Sequence, residues 1–195
     1  MFIYPTETIY GLGVNVLDEA ALGQLVALKG RDERQTVSWL VRDLSDIKRY
    51  AEVSEVAERI IATLLPGPLT IVLPAKETVP KAARASDETI GFRISADPIA
   101  KQLIAAFMET HDAPLTCTSA NVSGMSPQAT VALIREQFVA GGRAEALNNV
   151  EVYDDGPRQG AASTIVRVVG GEVQVLREGE ISQSAIINAI SNITN

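Results

Sequence analysis

Apolar residues recur along this chain in two rhythms: short continuous β-like runs, and longer stretches with apolar positions three or four residues apart. Asp18 opens the first helical stretch as a cap, with Leu22, Leu25, Val26 and Leu28 forming an apolar face to about residue 28. Residues 38–41 read as a strand. Ser54 predicts the cap of a second helix whose Val56, Ala57, Ile60, Ile61 and Leu64 share a face, and Pro66-Gly67-Pro68 ends it. Residues 70–73 follow as a buried strand and 89–94 as another. Asp97-Pro98 is a cap plus a first-turn proline, opening a helix through 107 or 108. After a strand at 115–118, two β-rich stretches, 163–169 and 173–177, flank Gly170-Gly171, a two-residue hairpin signal. A last helical stretch runs from about 184 to 193, His111 falls in the polar loop "THDAP", and 141–149 is the most loop-like interval.

Strands alternating with helices predict an α/β fold, and the hairpin makes one strand pair antiparallel. The expected architecture is a twisted mixed sheet with flanking helices. A chain of 195 residues, 46% of them hydrophobic, fits one domain over 1–195 with a sizeable core. Apolar runs such as 70–73 and 102–108 fall far short of the ~20 residues that cross a bilayer. Pro5, Thr6, Glu7 and Thr8 interrupt any secretory apolar region at the start. The reading is a cytoplasmic protein without membrane attachment.

One cysteine, Cys117, forbids an internal disulfide and reads as a small buried hydrophobe. With a single histidine and no cysteine cluster, neither a zinc site nor a Ser-His-Asp triad can be built from the usual parts. A net charge of −7 argues against holding a polyanion through the bulk surface, so tRNA binding by the protein alone should be weak or absent. A cleft holding Lys29, Arg31 and Arg34 of "KGRDER" can still be locally positive; the other reading of those residues is a solvated basic loop.

Six polar, glycine-punctuated segments adjoin the expected strands: "PTETIYGLG" (5–13), "KGR" (29–31), "PGPLTIVL" (66–73), "TSANVSG" (118–124), "STIV" (163–166) and "LREG" (176–179). Singly, each reads as a turn or an ordinary strand, and none is a GxxxxGK[ST] or GxGxxG phosphate loop. In their order and spacing they resemble the YrdC-like family of threonylcarbamoyl-AMP synthases, whose pattern runs PT(D/E)TxYGLG, K(G/R)RP, PGPxT, a VRxP-like strand, TSANxSG, STV and LRxG. The resemblance covers nearly the whole chain and is to the short, single-domain type. It implies a YrdC-like fold with a central concave substrate cavity. It also implies a nucleotidyltransferase that condenses L-threonine, bicarbonate and ATP into threonylcarbamoyl-AMP and pyrophosphate, for the t6A modification of tRNA. Mg2+ is expected with the ATP, without a dedicated protein ligand, and contact with the tRNA threonylcarbamoyl-transfer machinery is a further implied partnership.

By the same resemblance, Thr6, Thr89, Arg93 and Ser163 would bind threonine, Arg93 through its carboxylate. Lys29 and Arg31 would be the catalytic, ATP-contacting cations. Cys117 through its backbone, with Thr118, Ser119, Asn121 and Arg177, would complete the nucleotide site. Glu7 and Tyr10 read as structural parts of their loop. The chain departs from the pattern in three places. Little precedes PTET, so the expected first helix and most of a strand look truncated; Asp32 replaces a proline and "TVSWL" a PLIVH-like strand, removing a threonine-contacting histidine; and a "DGG" reads "DDGP" (154–157). The motifs also leave open another carbamoyl- or adenylyl-transferring enzyme of this fold, and a non-catalytic paralogue that holds nucleotide or RNA.

Overall fold

In the computed structural model, which describes residues 1–31 and 37–191, the elements follow in the order β1 (Phe2–Tyr4), β2 (Gly11–Gly13), α1 (Glu19–Lys29), β3 (Ser38–Leu40), α2 (Leu44–Tyr50), α3 (Glu55–Leu64), β4 (Leu69–Pro74), β5 (Thr89–Arg93), α4 (Pro98–His111), β6 (Leu115–Ser119), α5 (Val131–Ala140), β7 (Glu151–Val152), β8 (Thr164–Val169), β9 (Glu172–Arg177) and α6 (Gln183–Ser191). The expected cap residues do their work. Asp18 accepts from the Ala21 N–H at 3.0 Å, Ser54 from Ala57 at 3.3 Å, and Asp97 from Ile99 at 2.9 Å and Ala100 at 3.1 Å. Asp32, Arg34 and Thr36, on which part of the sequence reading rests, lie outside the described residues, as does the end of the last helical stretch.

The strands form one mixed sheet in the order β7-β1-β2-β6-β3-β5-β4-β8-β9. β1–β7, β3–β5 and β4–β8 pair in parallel and the other neighbours antiparallel. Strand alternation then divides the molecule. Register puts Ser38, Leu40, Thr70, Gly91, Arg93, Leu115, Cys117 and Ile165 on one face. The opposite face, with Trp39, Ile71, Phe92 and Val166, packs on α2, α3 and α6 through Ile47, Ile60, Ile61 and Ile186. Beside it, Ile3, Leu12 and Val14 pack on α1 and α5 through Leu25, Leu28, Ile134 and Phe138. On the first face, α4 covers Tyr4, Leu40 and Leu115 with Leu103, Ile104 and Phe107. The rest of that face, Ile165 apart, carries polar or small residues, and among the described residues no helix covers it.

Phe2–Tyr4 is a paired strand, held by β2 on one side and β7 on the other. Two expectations are corrected. His111 belongs to α4: it stacks on Phe107 with centroids 4.2 Å apart, and the helix ends one residue later, at Asp112 with φ 51°. Residues 141–149 contain a 3-10 turn at Glu145–Leu147.

The glycine of "LREG" has a steric reason. Thr164, fully buried, accepts from the Gly179 N–H at 2.9 Å and the Ile181 N–H at 3.0 Å and donates to Ile181 O at 2.5 Å, which folds the chain after β9 back onto β8. A Cβ on Gly179 would lie 1.9 Å from Ala162 O. Gly179→Ala is therefore expected to destabilise the protein by about 1–3 kcal/mol through overpacking against backbone. Urea unfolding measures it, and an unchanged midpoint would mean that this turn is not tight.

Candidate active site

The polar face is enclosed first by the loop between β1 and β2. The Thr6 hydroxyl accepts from the N–H groups of Thr8 and Ile9, both at 3.2 Å, and donates to Ile9 O at 2.6 Å. It thus closes a hydroxyl-centred turn. Arg93, at the end of β5, reaches under this turn. Its Nη2 donates to Thr8 Oγ1 at 2.7 Å, Glu7 Oε1 at 2.8 Å and Thr6 Oγ1 at 3.3 Å.

A strap between β7 and β8 crosses the outside of the loop. The Tyr10 hydroxyl donates to Gly156 O at 2.7 Å and receives the Asp155 N–H at 3.1 Å. Gly160 N–H donates to Thr8 O at 3.1 Å. Arg158 joins three segments, donating to Thr6 O at 3.1 Å, Asp97 Oδ2 at 3.1 Å and Asp155 Oδ2 at 2.6 Å. The "DDGP" sequence is the turn, with Gly156 at φ 73°, that presents these groups.

Gly30 separates the two cations of "KGR". It takes the left-handed conformation at φ 60°, ψ 40°, and the Arg31 N–H reaches back to Val26 O at 3.1 Å, ending α1. Lys29 therefore faces inward and Arg31 outward. The Lys29 ammonium donates to Ser119 O, to Asn121 O at 2.9 Å and to Asn121 Oδ1 at 3.4 Å, and the residue is only 2% exposed. Burial, with help from the Arg31 guanidinium, lowers its pKa from 10.5 to about 7. Asn121 in turn donates to Val122 O and Met125 O, and Gln137 of α5 donates to Ser126 O and accepts from Val122 N–H.

These segments surround a cavity of about 460 Å³, within the usual range for a small-molecule site. Of the residues singled out in the sequence, Thr6, Arg31, Arg93, Cys117, Thr118, Ser119, Asn121, Ser163 and Arg177 line it. Arg31 donates to Thr118 Oγ1 at 3.2 Å, and Arg177 donates to Ser163 O at 3.2 and 2.7 Å. Among the described residues the wall carries three arginines and no carboxylate, so an acidic chain holds a cavity suited to anions.

Two residues are placed elsewhere. Lys29 is behind the wall, because its ammonium is turned into the 119–121 turn; it shapes the site and does not line it. Thr89 is at the far end of β5, donates to Asp87 Oδ1 at 2.7 Å and is absent from the lining. Thr6 is on the wall, but its hydroxyl proton is committed to Ile9 O. The sequence reading missed Thr70, whose hydroxyl lies 3.2 Å from that of Ser163, although it is the threonine of the quoted "PGPLT". Ser38, two residues from buried Leu40 on the same face, could have been found by alternation. Val37, Met125 and Pro127 add apolar wall that no motif marked, and Ile9 and Ile165 add more from within two of the motif segments.

Comparison with known proteins shows which family the sequence and fold resemble. The chain matches the Sua5/YciO/YrdC family, described as "Telomere recombination", over residues 1–179. It is 38% identical over 146 residues to the threonylcarbamoyl-AMP synthase of Halorhodospira halophila, covering 74% of this chain and 73% of that protein. It is 32% identical over 192 residues to the threonylcarbamoyl-AMP synthase of Pyrococcus abyssi, covering 97% of this chain but only 53% of that longer one. Among solved structures, P. abyssi Sua5 complexed with L-threonine superposes with a TM-score of 0.84 at 30% identity, covering 97% of this chain and 53% of that one. Escherichia coli YciO, at 24% identity and TM-score 0.78 over 95% of this chain and 85% of its own, shares the fold.

The buried Lys29 generates a pH-dependent expectation. Lys29→Met should cost about 1–3 kcal/mol at pH 9, because two turn carbonyls lose their donor. Lys29 binds its proton less tightly in the folded chain, at about 7, than at its ordinary 10.5. The unfolded state therefore takes up the proton first as pH falls, and the stability of wild type relative to the variant should decline from about pH 10 to 7 and level off below. Urea unfolding of both proteins across that window tests it; a pH-independent gap contradicts it.

Proposed function

The chain belongs to the Sua5/YciO/YrdC family, and from that membership we propose that it makes threonylcarbamoyl-AMP from L-threonine, bicarbonate and ATP, releasing pyrophosphate. The observation that carries the reading is that one cavity draws a wall residue from each of the six motif segments: Thr6, Arg31, Thr70, Asn121, Ser163 and Arg177. Arg93 joins them from β5.

The chemistry suits a wall of arginines and hydroxyls. The threonine nitrogen condenses with bicarbonate, losing water, to give a carbamate. A carbamate oxygen then attacks the α-phosphorus of ATP as the bond to pyrophosphate breaks. The nucleophile belongs to the substrate, so the protein's task is to align two anions and offset their charge. Arg31 and Arg177 would face the phosphates, Arg being a planar fork that suits phosphate oxygens. Arg93 would take the threonine carboxylate, and the short hydroxyls and N–H groups of 117–121 would cradle phosphate without adding charge. Mg2+ would arrive bound to the triphosphate.

The product would serve the t6A modification of tRNA through a transfer machinery in the cytoplasm. Among the described residues no helix is long and apolar enough to cross a membrane.

Pyrophosphate release is expected to need ATP, threonine and bicarbonate together, and release that persists without threonine or bicarbonate overturns the proposal. Arg93→Ala is expected to raise the threonine KM by about tenfold or more while moving the ATP KM little, since a lost charge-assisted hydrogen bond is worth ~1.5–3 kcal/mol and concerns only the amino acid. A rise in the ATP constant instead would assign Arg93 to the nucleotide.

A further inference from the structure

Glu7 stands directly behind the cavity wall. It does not line the cavity, whereas Arg93, Thr6, Ile9 and Tyr10 around it do. Its two carboxylate oxygens face different parts of the chain. Oε1 accepts from Arg93 Nη2 at 2.8 Å; Oε2 accepts from the Ser95 hydroxyl and from the Ala96 N–H at 3.1 Å. Ser95 Oγ accepts the Asp97 N–H at 3.2 Å, and Asp97 caps α4. One side chain thus brackets the 5–10 loop, the end of β5 and the start of α4.

We propose that Glu7 is a positioning residue for the amino-acid end of the cavity: it fixes the Arg93 guanidinium, from behind, in the orientation that receives the substrate's carboxylate. This rests on the reading of the cavity as a threonine site. Arg93 is 6% exposed, so its charge needs a partner, and among the described residues Glu7 is the carboxylate that pairs with it. Thr6 and Thr8 also accept from Nη2, but they are neutral hydroxyls that share one contact with each other at 3.0 Å. A guanidinium is planar and rigid, so anchoring Nη2 sets the direction of every other donor. Arg93 Nε is buried and has no hydrogen-bond partner among the described residues, so Nη2 is the edge through which this guanidinium is anchored.

Ser95 and Ala96 keep Glu7 from swinging into the cavity to compete with a substrate carboxylate. Burial alone would raise the Glu7 carboxyl, but the Arg93 guanidinium and the Ser95 hydroxyl more than offset this and hold it below its ordinary 4.5. It is therefore a carboxylate at neutral pH. In Glu7→Gln the amide can present one oxygen to Arg93, but its NH2 then meets the Ala96 N–H, donor against donor.

The test is to titrate wild type, Glu7→Ala and Glu7→Gln calorimetrically with L-threonine and, separately, with ATP. Glu7→Ala is expected to weaken threonine binding by about tenfold or more, as for loss of a charge-assisted partner, with ATP binding changed less than about twofold. Glu7→Gln should lose less than Glu7→Ala, again for threonine alone. Unchanged threonine affinity in either variant overturns the proposal, as does an equal weakening for both ligands, which marks a merely structural residue. If Glu7→Ala does not fold, the near-isosteric Glu7→Gln decides alone, by the same threonine-against-ATP split. Wild type that binds ATP but not threonine overturns the functional reading itself, and that result is visible before any variant is made.

Discussion

A guanidinium buried at the end of a β-strand has to be surrounded by acceptors, and in this protein that requirement organises the site. Arg93 ends β5 on the polar face of the sheet, where its partner in register is apolar Leu40 and Gly91, two residues back on the same strand face, carries no side chain. The acceptors come instead from the loop above it, as Thr6, Glu7 and Thr8. A loop that supplies three acceptors cannot drift, and Arg158 holds it from the other side through Thr6 O. The cavity is the space enclosed when a charged side chain from the sheet and a strap from late in the chain grip the same few residues. Gly91 keeps the floor open beneath them, since a Cβ there would lie 3.0 Å from Ser38 Oγ.

Much of the fold was legible because local chemistry and global burial agree. Asp18, Ser54 and Asp97 cap the helices that their positions announce, and the runs at 70–73, 89–94 and 115–118 read as strands because each is a short apolar run that carries core residues, among them Ile71, Leu73, Ile90, Phe92 and Leu115. Part of what was missed is short or made of small residues. α2 has seven residues and shows only Leu44, Ile47 and Tyr50 as a repeat. β2 is Gly11-Leu12-Gly13, with no strand propensity to read; its glycines are there because the Tyr4 ring lies against them, 2.8–2.9 Å from where a Cβ would be. α5 follows a loop whose polar residues hide its Thr130 cap.

The site was legible in its membership and less so in its directions. Motif order named nine residues that do line the cavity. It could not say that a left-handed Gly30 would send Lys29 inward and Arg31 outward, because that depends on one φ angle. Thr89 and Arg93 share a face of β5, yet four residues of strand separate them by roughly 13 Å. Glu7, set aside as part of a loop, could be recognised only once Arg93 and Ser95 were seen on either side of it.

The strap has a consequence for how the protein is made. Tyr10 meets Gly156 across 146 residues of chain, and Thr6 meets Arg158 across 152. At a synthesis rate of about 5–20 residues per second, the first loop leaves the ribosome on the order of 10–30 s before its partner exists. Pairings so distant in sequence close late, after the loop entropy between them has been overcome. Helices and central hairpins can assemble while the chain is still growing, but the cavity can close only after residue 158 has emerged. The central strands from β1 to β6 can thus pair before a pocket exists, whereas the sheet edge β8–β9 and the cavity residues Ser163 and Arg177 follow the strap, so a polypeptide stalled short of it has neither the far edge of the sheet nor a cavity able to enclose a ligand.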